Sequence, residues 1–423
     1  MKTIKGALVY VDGSLHERNV IIEGSKIIEI SLEEKGEVID AKGKLLAPSF
    51  IDLHVHMREP GFEHKGTFES EGKACAKGGF TRVFAMPNTK PSPDTVDNFL
   101  MIKDKTKSSP MEVEILCSMT EGSRGKKLSD VKALTAAGAL GFSDDGVPIM
   151  DDSIMEEALK AIKEAESVLM VHEEDLTTFK QGAVNRGPVS EHFGVDGIPN
   201  QAESNMVYRD ALLAERTGGH VHICHMSTKE SLAVVEEAKK KGVPITCEVT
   251  PHHLLLTDEI VIEQKGYGKV NPPLRSEEDR LALLDGLKRG VIDAIATDHA
   301  PHDKKSKERP IETAAFGFIG IEFSFASLYT ELVLKGHLSL EELLYYMSGS
   351  PARVMKLKEE GFIKEGYDAN LVLIDLEAKW TLTEDTIISM GKNTPLLGKE
   401  FYGETLWTMY QGEMIYEKSN SSY

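Results

Sequence analysis

The chain has few cysteines and no long apolar run. It contains four cysteines in 423 residues, and no two of them form a Cys-x-x-Cys pair. We therefore expect no disulfide framework. We expect reduced thiols in a cytoplasmic protein. No stretch reaches about 18 consecutive apolar residues, which argues against a membrane-spanning helix. The first residues also lack the apolar core of a signal peptide.

Positive charge is also scarce. Acidic residues outnumber basic ones by 68 to 49, and the formal net charge is −19 at pH 7. Nucleic acids and anionic membranes both require a basic surface, so neither is an expected partner. A small anionic substrate is not excluded, because a few cationic side chains in a cleft decide that question.

From residue 49 to residue 360, short apolar runs alternate with longer amphipathic segments. The eight predicted strands are Phe50–His56, Thr81–Met86, Val113–Ser118, Gly141–Ser143, Val168–His172, His220–His225, Pro244–Val249 and Ile292–Thr297. A helix-like segment follows each strand, and the last of these is Phe318–Lys335. Eight such repeats predict a (β/α)8 TIM barrel. Residues 1–48 and 361–423 have β-type patterns but are too short to bury separate cores. We predict that they pair into one small β-sandwich domain.

Residues that can bind metal ions follow five of the predicted strands. His54 and His56 occupy positions i and i+2, which point to one face of a strand. The full set is His54, His56, Asp145, His172, His225 and Asp298. Imidazole and carboxylate ligands without thiolate suit zinc or a similar ion in a catalytic site. Six ligands exceed one four-coordinate ion, so we predict two ions that share Asp145 as a bridge.

Several motifs carry a resemblance to a known family. Phe50–His56 with Arg58-Glu59-Pro60-Gly61 resembles the opening motif of the amidohydrolase superfamily, and Ala296–His302 resembles the closing motif of its cyclic-amide branch. Further motifs fit class I dihydroorotases in order: Ala85–Thr89, Ser143–Gly146, Thr250–His253 and Asn271–Arg275 lie between these two, and Phe316-Gly317 follows them. Hydantoinases and dihydropyrimidinases typically bridge their ions with a carboxylated lysine, but residues 141–147 contain no lysine. The chain is therefore most similar to the class I dihydroorotases.

The resemblance implies a zinc-dependent hydrolase with two Zn²⁺ per subunit. His54, His56 and Asp298 would bind one ion, His172 and His225 the other, and Asp145 both. The implied reaction is the reversible hydrolysis of L-dihydroorotate to N-carbamoyl-L-aspartate, the third step of de novo pyrimidine (UMP) biosynthesis, with Asp298 as the proton carrier. The implied substrate-binding residues are His56, Arg58, Asn88, Asn271, His302, Phe316 and Gly317. The implied partners are this small anionic substrate, a second copy of the chain and an aspartate carbamoyltransferase.

Two alternatives stay open at this point. The chain could be another cyclic amidohydrolase, acting on hydantoins, dihydropyrimidines or allantoin, although a neutral ring needs no arginine such as Arg58. It could also be an inactive dihydroorotase-like scaffold for aspartate carbamoyltransferase, although such chains lose metal ligands. Residues 303–310 are polar and rich in basic charge, which fits either a mobile lid or a solvated loop.

Overall fold

Strands near both ends of the chain belong to one sheet in the computed structural model, which describes residues 1–418. The N-terminal strands are β1 (Lys2–Val11), β2 (Ser14–Glu23), β3 (Lys26–Ser31), β4 (Glu37–Asp40) and β5 (Leu45–Pro48). The middle strands are β6 (Phe50–Val55), β7 (Phe80–Ala85), β8 (Glu112–Ile115), β9 (Cys117–Ser118), β10 (Phe142–Ser143), β11 (Leu169–Val171), β12 (Val184–Asn185), β13 (Gly197–Ile198), β14 (Val221–Ile223), β15 (Ile245–Val249) and β16 (Ala294–Ile295). The C-terminal strands are β17 (Leu371–Thr381), β18 (Glu400–Tyr410) and β19 (Glu413–Glu417).

The end sheet joins the two termini through β5. Its strand order is β19-β18-β17-β5-β1-β2-β3, and β4 pairs with β1. Leu46 of β5 pairs with Val9 on one side and with Leu373 on the other. These three side chains are buried in one apolar cluster with Trp407 of β18. The N-terminal and C-terminal segments therefore share a core that neither could form alone.

The middle strands pair in parallel. One sheet has the order β6-β7-β8 and the other β16-β15-β14-β11-β10-β9. Leu116 connects β8 to β9, and its N–H donates to Ala85 O of β7. A parallel bridge pairs Val55 of β6 with His299, beyond the end of β16. The result is a mixed α/β fold in which the carboxyl ends of the parallel strands meet on one side.

Helices lie between most of these strands. The helices are α1 (Phe68–Lys77), α2 (Val96–Lys105), α3 (Val131–Ala136), α4 (Asp152–Glu164), α5 (Pro188–Phe193), α6 (Asn200–Thr217), α7 (Lys229–Lys240), α8 (Pro251–Leu255), α9 (Ile260–Gln264), α10 (Glu277–Lys288), α11 (Lys304–Lys307), α12 (Ser324–Leu328), α13 (Leu340–Met347) and α14 (Gly349–Val354). Among residues 1–418, none is both long and apolar enough to cross a bilayer.

The helix expected over Phe318–Lys335 is shorter than the sequence pattern suggested. It begins at Ser324 and changes to a π-helical turn at Tyr329–Val333. The preceding residues bond to other segments, since Ile319 N donates to Asn393 O and Gly320 N donates to His299 Nδ1. These contacts keep residues 318–320 out of the helix, and Ile321–Phe323 form a single 3-10 turn before it begins.

Phe50 connects the parallel strands to the helical layer. Its ring centroid lies 5.4 Å from that of Phe80 and 5.5 Å from that of Phe325, and the Phe325 ring is stacked on it. We expect Phe50→Ala to lower the free energy of unfolding by about 3–5 kcal/mol, because it opens a cavity among these rings. Urea denaturation measures this change. Leu100→Ala, at a half-exposed site on α2, is the control and should change stability by less than about 0.5 kcal/mol. Equal effects of the two substitutions would contradict the assignment.

Candidate metal centre

Asp145 lies at the centre of four histidines. Its Oδ1 is 3.5 Å from His54 Nε2, 3.5 Å from His225 Nε2 and 3.8 Å from His172 Nδ1. Its Oδ2 is 3.6 Å from His56 Nε2. The five residues come from the ends of β6, β10, β11 and β14, so the strand topology brings distant parts of the sequence to one point.

Asp298, after β16, completes the group. Its Oδ1 lies 3.0 Å from His56 Nε2 and 3.6 Å from His54 Nε2. Burial opposes ionisation of Asp298, but its contact with His56 and the neighbouring imidazoles outweigh burial and hold the pKa of this carboxyl well below its ordinary value. All six predicted ligands are thus brought together by the fold.

The spacing of these atoms fits metal ions. Ligand atoms of a tetrahedral ion with bonds of about 2.0 Å lie about 3.3 Å apart. The distances around Asp145 and Asp298 run from 3.0 to 3.8 Å. Within residues 1–418, His54 Nε2 and Asp145 Oδ1 are buried without a hydrogen-bond partner. Buried polar atoms are rarely left unpaired, so a cation between them accounts for both.

The protonation of His54 follows from a chain of hydrogen bonds through the interior. His54 Nδ1 lies 3.2 Å from Glu248 Oε1, and His222 Nε2 lies 3.1 Å from Glu248 Oε2. His222 Nδ1 and His220 Nε2 each lie 2.8 Å from Thr246 Oγ1. The carboxylate only accepts, so both ring nitrogens facing it carry hydrogens. His54 then presents the lone pair of Nε2 to Asp145, which is the form that binds a metal.

Glu248 was not among the predicted site residues. It is fully buried in β15, and burial alone would raise its pKa, but the hydrogen bonds from His222 and His54 outweigh burial and lower the pKa to about 2. The carboxylate is therefore charged and able to fix the His54 ring. The one signal in the sequence was a glutamate within the apolar run of a buried strand.

Three site residues have left-handed backbone conformations. The φ angles are 68° for Arg58, 35° for His225 and 48° for Asp298. Residues other than glycine rarely adopt positive φ, and such conformations concentrate at functional sites. Each of the three follows the end of a parallel strand, where the backbone turns out of the sheet. The turn aims each side chain at the cluster instead of along the strand.

A cationic pocket adjoins the cluster. Arg58 is half-buried; its Nε donates to Pro301 O at 3.0 Å, and its Nη2 lies 3.1 Å from His302 Nε2. Burial lowers the pKa of Arg58 to about 10, so the guanidinium stays charged at neutral pH. Lys65 Nζ lies 3.4 Å from His302 Nδ1. Neither contact of Arg58 uses Nη1, which leaves a donor for an anion. Lys65 was not predicted as part of the site.

The remaining predicted substrate residues lie nearby in three places. Asn88 Nδ2 donates to Asp145 O at 2.6 Å, and Asn271 Nδ2 donates to Glu174 Oε1 at 3.1 Å. Within residues 1–418, the amide oxygens of both asparagines are buried and unpartnered. The Lys269 ammonium lies 4.1 Å from the centroid of the Phe316 ring. A Cβ on Gly317 would lie 3.5 Å from His302 Nε2, so this glycine borders the cationic pocket.

Comparisons with known proteins show the family to which the chain is similar. A family model described as dihydro-orotase-like matches residues 43–231. A dihydroorotase of Staphylococcus epidermidis is 44% identical over 425 residues, covering 99% of this chain and 100% of that protein. A dihydroorotase of Staphylococcus aureus is 43% identical over 423 residues, covering 99% of each.

Solved structures give the same fold. An L-hydantoinase (dihydropyrimidinase) from Arthrobacter aurescens has a TM-score of 0.89 at 25% identity, covering 99% of this chain and 96% of that chain. A D-hydantoinase (dihydropyrimidinase) from Thermus sp. has a TM-score of 0.86 at 26% identity, covering 98% and 95%. Fold and relatives together define an enzyme that hydrolyses cyclic amides. Within that class, the chain belongs to the dihydroorotase family, because the identity to its relatives extends over the whole length.

The role of Glu248 can be tested by metal retention. In Glu248→Gln the amide nitrogen would face an N–H of His54 or His222, so one ring must give up its present tautomer. We expect the affinity for bound metal to fall about 10- to 100-fold, measured by competition with a chromophoric chelator. Glu322→Gln is the control, because Glu322 is also buried but accepts from Ile388 N and Ser389 N. Equal metal affinity in both variants would remove this role.

Proposed function

We propose that the chain catalyses the reversible hydrolysis of L-dihydroorotate to N-carbamoyl-L-aspartate, in the third step of pyrimidine (UMP) biosynthesis. The observation that carries the proposal is a cluster of four imidazoles and two carboxylates beside the half-buried Arg58. The cluster suits hydrolysis of an amide, and the arginine suits a ring that bears a carboxylate. Membership of the dihydroorotase family supports the same reaction.

The proposed cofactors are two Zn²⁺ ions per subunit. His54, His56 and Asp298 would hold one, His172 and His225 the other, and Asp145 both. The unpartnered atoms of His54 and Asp145 support this arrangement. Imidazole and carboxylate donors without a thiolate suit zinc in a catalytic site. When bound, such ions supply Lewis-acid chemistry, which acidifies water and polarises an amide carbonyl.

Asp298 is the proposed proton carrier. Its low pKa keeps it ionised at neutral pH, so a carboxylate oxygen can accept the proton of the attacking water. The same carboxyl then donates that proton to the ring nitrogen as the amide bond breaks. In ring closure, Asp298 takes the proton from the carbamoyl nitrogen and returns it to the departing hydroxyl. His56 lies beside this carboxylate, and both would hold the same ion.

Arg58, His302 and Asn88 are the proposed partners of the substrate carboxylate. A guanidinium can bind a carboxylate with two parallel hydrogen bonds, and Arg58 has Nη1 free of the contacts with Pro301 and His302. Asn271 and the backbone at Phe316 and Gly317 would contact the ring amide. The buried amide oxygen of Asn271 supports an acceptor role toward a ring N–H.

The proposal includes an architecture. We propose that residues 49–360 form a closed (β/α)8 barrel, supported by the run of parallel pairs and the bridge from Val55 to His299. Residues 1–48 and 361–423 would form the β-sandwich domain, of which residues 419–423 lie outside the described part. Four buried cysteines without disulfides fit the proposed cytoplasmic location. A homodimer and an association with aspartate carbamoyltransferase stay predictions.

A hydantoinase or dihydropyrimidinase activity is the second candidate, because solved structures with those names share the fold. An allantoinase activity belongs to the same class of neutral rings. The half-buried Arg58 argues against all three, since a neutral ring would give its charge no anionic partner. An inactive scaffold is disfavoured because all six ligand groups lie together.

The reaction is tested by assays with L-dihydroorotate and N-carbamoyl-L-aspartate before and after chelation. We expect turnover in both directions, its loss on chelation and its recovery with Zn²⁺. Asp298→Asn should lower kcat by at least about 100-fold, because the amide cannot carry the proton. Circular dichroism checks that this variant keeps its fold. Turnover that survives complete metal removal would refute the metal-dependent mechanism.

Arg58 decides between the two candidate substrate classes. Arg58→Met should raise KM for dihydroorotate about 10- to 100-fold, because a charge-assisted hydrogen bond to the carboxylate is lost. Steady-state kinetics on dihydroorotate, hydantoin and dihydrouracil measure this. Arg216→Met, at an exposed position near the end of α6, is the control. A wild-type preference for the uncharged rings would instead favour the second candidate.

A further inference from the structure

Lys307 lies in the segment 303–310 that the sequence left open as either a lid or a loop. Its side chain is 1% exposed. The Nζ group donates to three backbone oxygens: Lys269 O at 3.1 Å, Ala315 O at 2.8 Å and Gly317 O at 2.8 Å. An ammonium has three N–H groups, so all of them are used. A buried charge is tolerated when its donors are satisfied in this way.

The three oxygens belong to two segments that the ammonium ties together. Gly317 N donates to Lys269 O at 3.0 Å, so residues 269 and 317 are bonded directly as well as through Lys307. Ala315 N donates to Ser306 O at 3.0 Å, which closes residues 306–315 into a loop. The stretch 306–317 is therefore bonded near both of its ends, at residues 306–307 and 315–317.

The backbone carbonyl of Gly317 links Lys307 to the cationic pocket. Gly317 O also accepts from Asn393 Nδ2 at 3.1 Å, and Asn393 Oδ1 accepts from His302 N at 2.9 Å. Gly317 has a φ of 115°, and a Cβ there would lie 2.7 Å from Ala300 Cβ. The backbone at residue 317 thus fits one narrow path beside His302, and Lys307 is one of two side chains that hold it there.

We propose that Lys307 is a positioning residue whose ammonium locks residues 311–317 as a fixed wall of the substrate site. Its effect is on the backbone at Phe316 and Gly317, which would contact the ring amide of the substrate. That Phe316 and Gly317 contact the substrate rests on the proposed function, whereas the hydrogen bonds by which Lys307 locks this backbone do not. Residues 311–317 are accordingly a wall that is present before substrate arrives, and not part of a lid that closes over it.

The test compares Lys307→Met with Lys305→Met in the full-length, metal-loaded protein. Lys305 is exposed on the same short helix, α11, and is the matched control. In Lys307→Met we expect amide hydrogen exchange at residues 311–317 to become at least about tenfold faster. KM for dihydroorotate should rise about tenfold, with kcat changed less than about twofold, because binding geometry is lost while the reacting groups stay. Lys305→Met should change neither exchange nor KM, and bound metal should be equal in both.

Each contrary outcome has a separate meaning. Unchanged exchange at residues 311–317 in Lys307→Met overturns the lock, whatever substrate the enzyme uses. Faster exchange with unchanged KM overturns the positioning role. If Lys307→Met does not fold, amide hydrogen exchange in the wild type tests the proposal. The proposal is overturned if the amides of Ala315 and Gly317 exchange as fast as those of the exposed turn at Gly122. If the wild-type enzyme is inactive on dihydroorotate, the proposed function is refuted. Hydrogen exchange at residues 311–317 then tests the lock by itself.

Discussion

An ionised carboxylate surrounded by four imidazoles, with one oxygen lacking any hydrogen bond, is unstable unless positive charge compensates it. Asp145 is such a carboxylate. The residues around it are placed where they can share bound cations with it. Glu248 directs the lone pair of His54 toward it, and Asp298 supplies a second negative charge. Two cations satisfy this set of groups more simply than protonated imidazoles would, because protonation would leave the ring nitrogens facing one another at short range. His172 Nδ1 and His225 Nε2, for example, lie 3.1 Å apart.

The sequence predicted that the six candidate ligands would meet because each one lies at or just beyond a strand end, where two-residue periodicity and the direction of parallel strands determine its position. His54 and His56 are the simplest case. Glu248 could not be identified in this way, because it lies inside β15 and its partners come from β6 and β14. Its role depends on which strands are neighbours, and that information is absent from local pattern. Lys307 was missed for a related reason: a lysine in a run of polar residues reads as solvated, and only the tertiary path of residues 269 and 315–317 buries it.

The left-handed backbones of Arg58, His225 and Asp298 carry a conformational cost of about 1–3 kcal/mol each. That cost is tolerable only where the surrounding contacts leave no alternative path. Next to Asp298, Thr297 N donates to Asp52 Oδ1, as does His54 N. The carbonyl cage of Lys307 and the side chain of Asn393 hold the neighbouring backbone at Gly317 and His302. They lie just behind the groups proposed to meet the substrate. The site is therefore preorganised by its supports, and its rigidity comes from the backbone more than from the side chains that face the ligand.

The pairing of β5 with both β1 and β17 affects how the polypeptide acquires its structure during synthesis. Leu46 leaves the ribosome early, but its partner Leu373 is translated only after almost the whole sequence has emerged. Until then, the β5 edge exposes unpaired backbone groups and apolar residues, which is the condition that favours aggregation. Contacts this distant in sequence are also slow to form, since a long intervening loop must close first. The nascent chain accordingly carries this incomplete sheet edge until its last strands arrive.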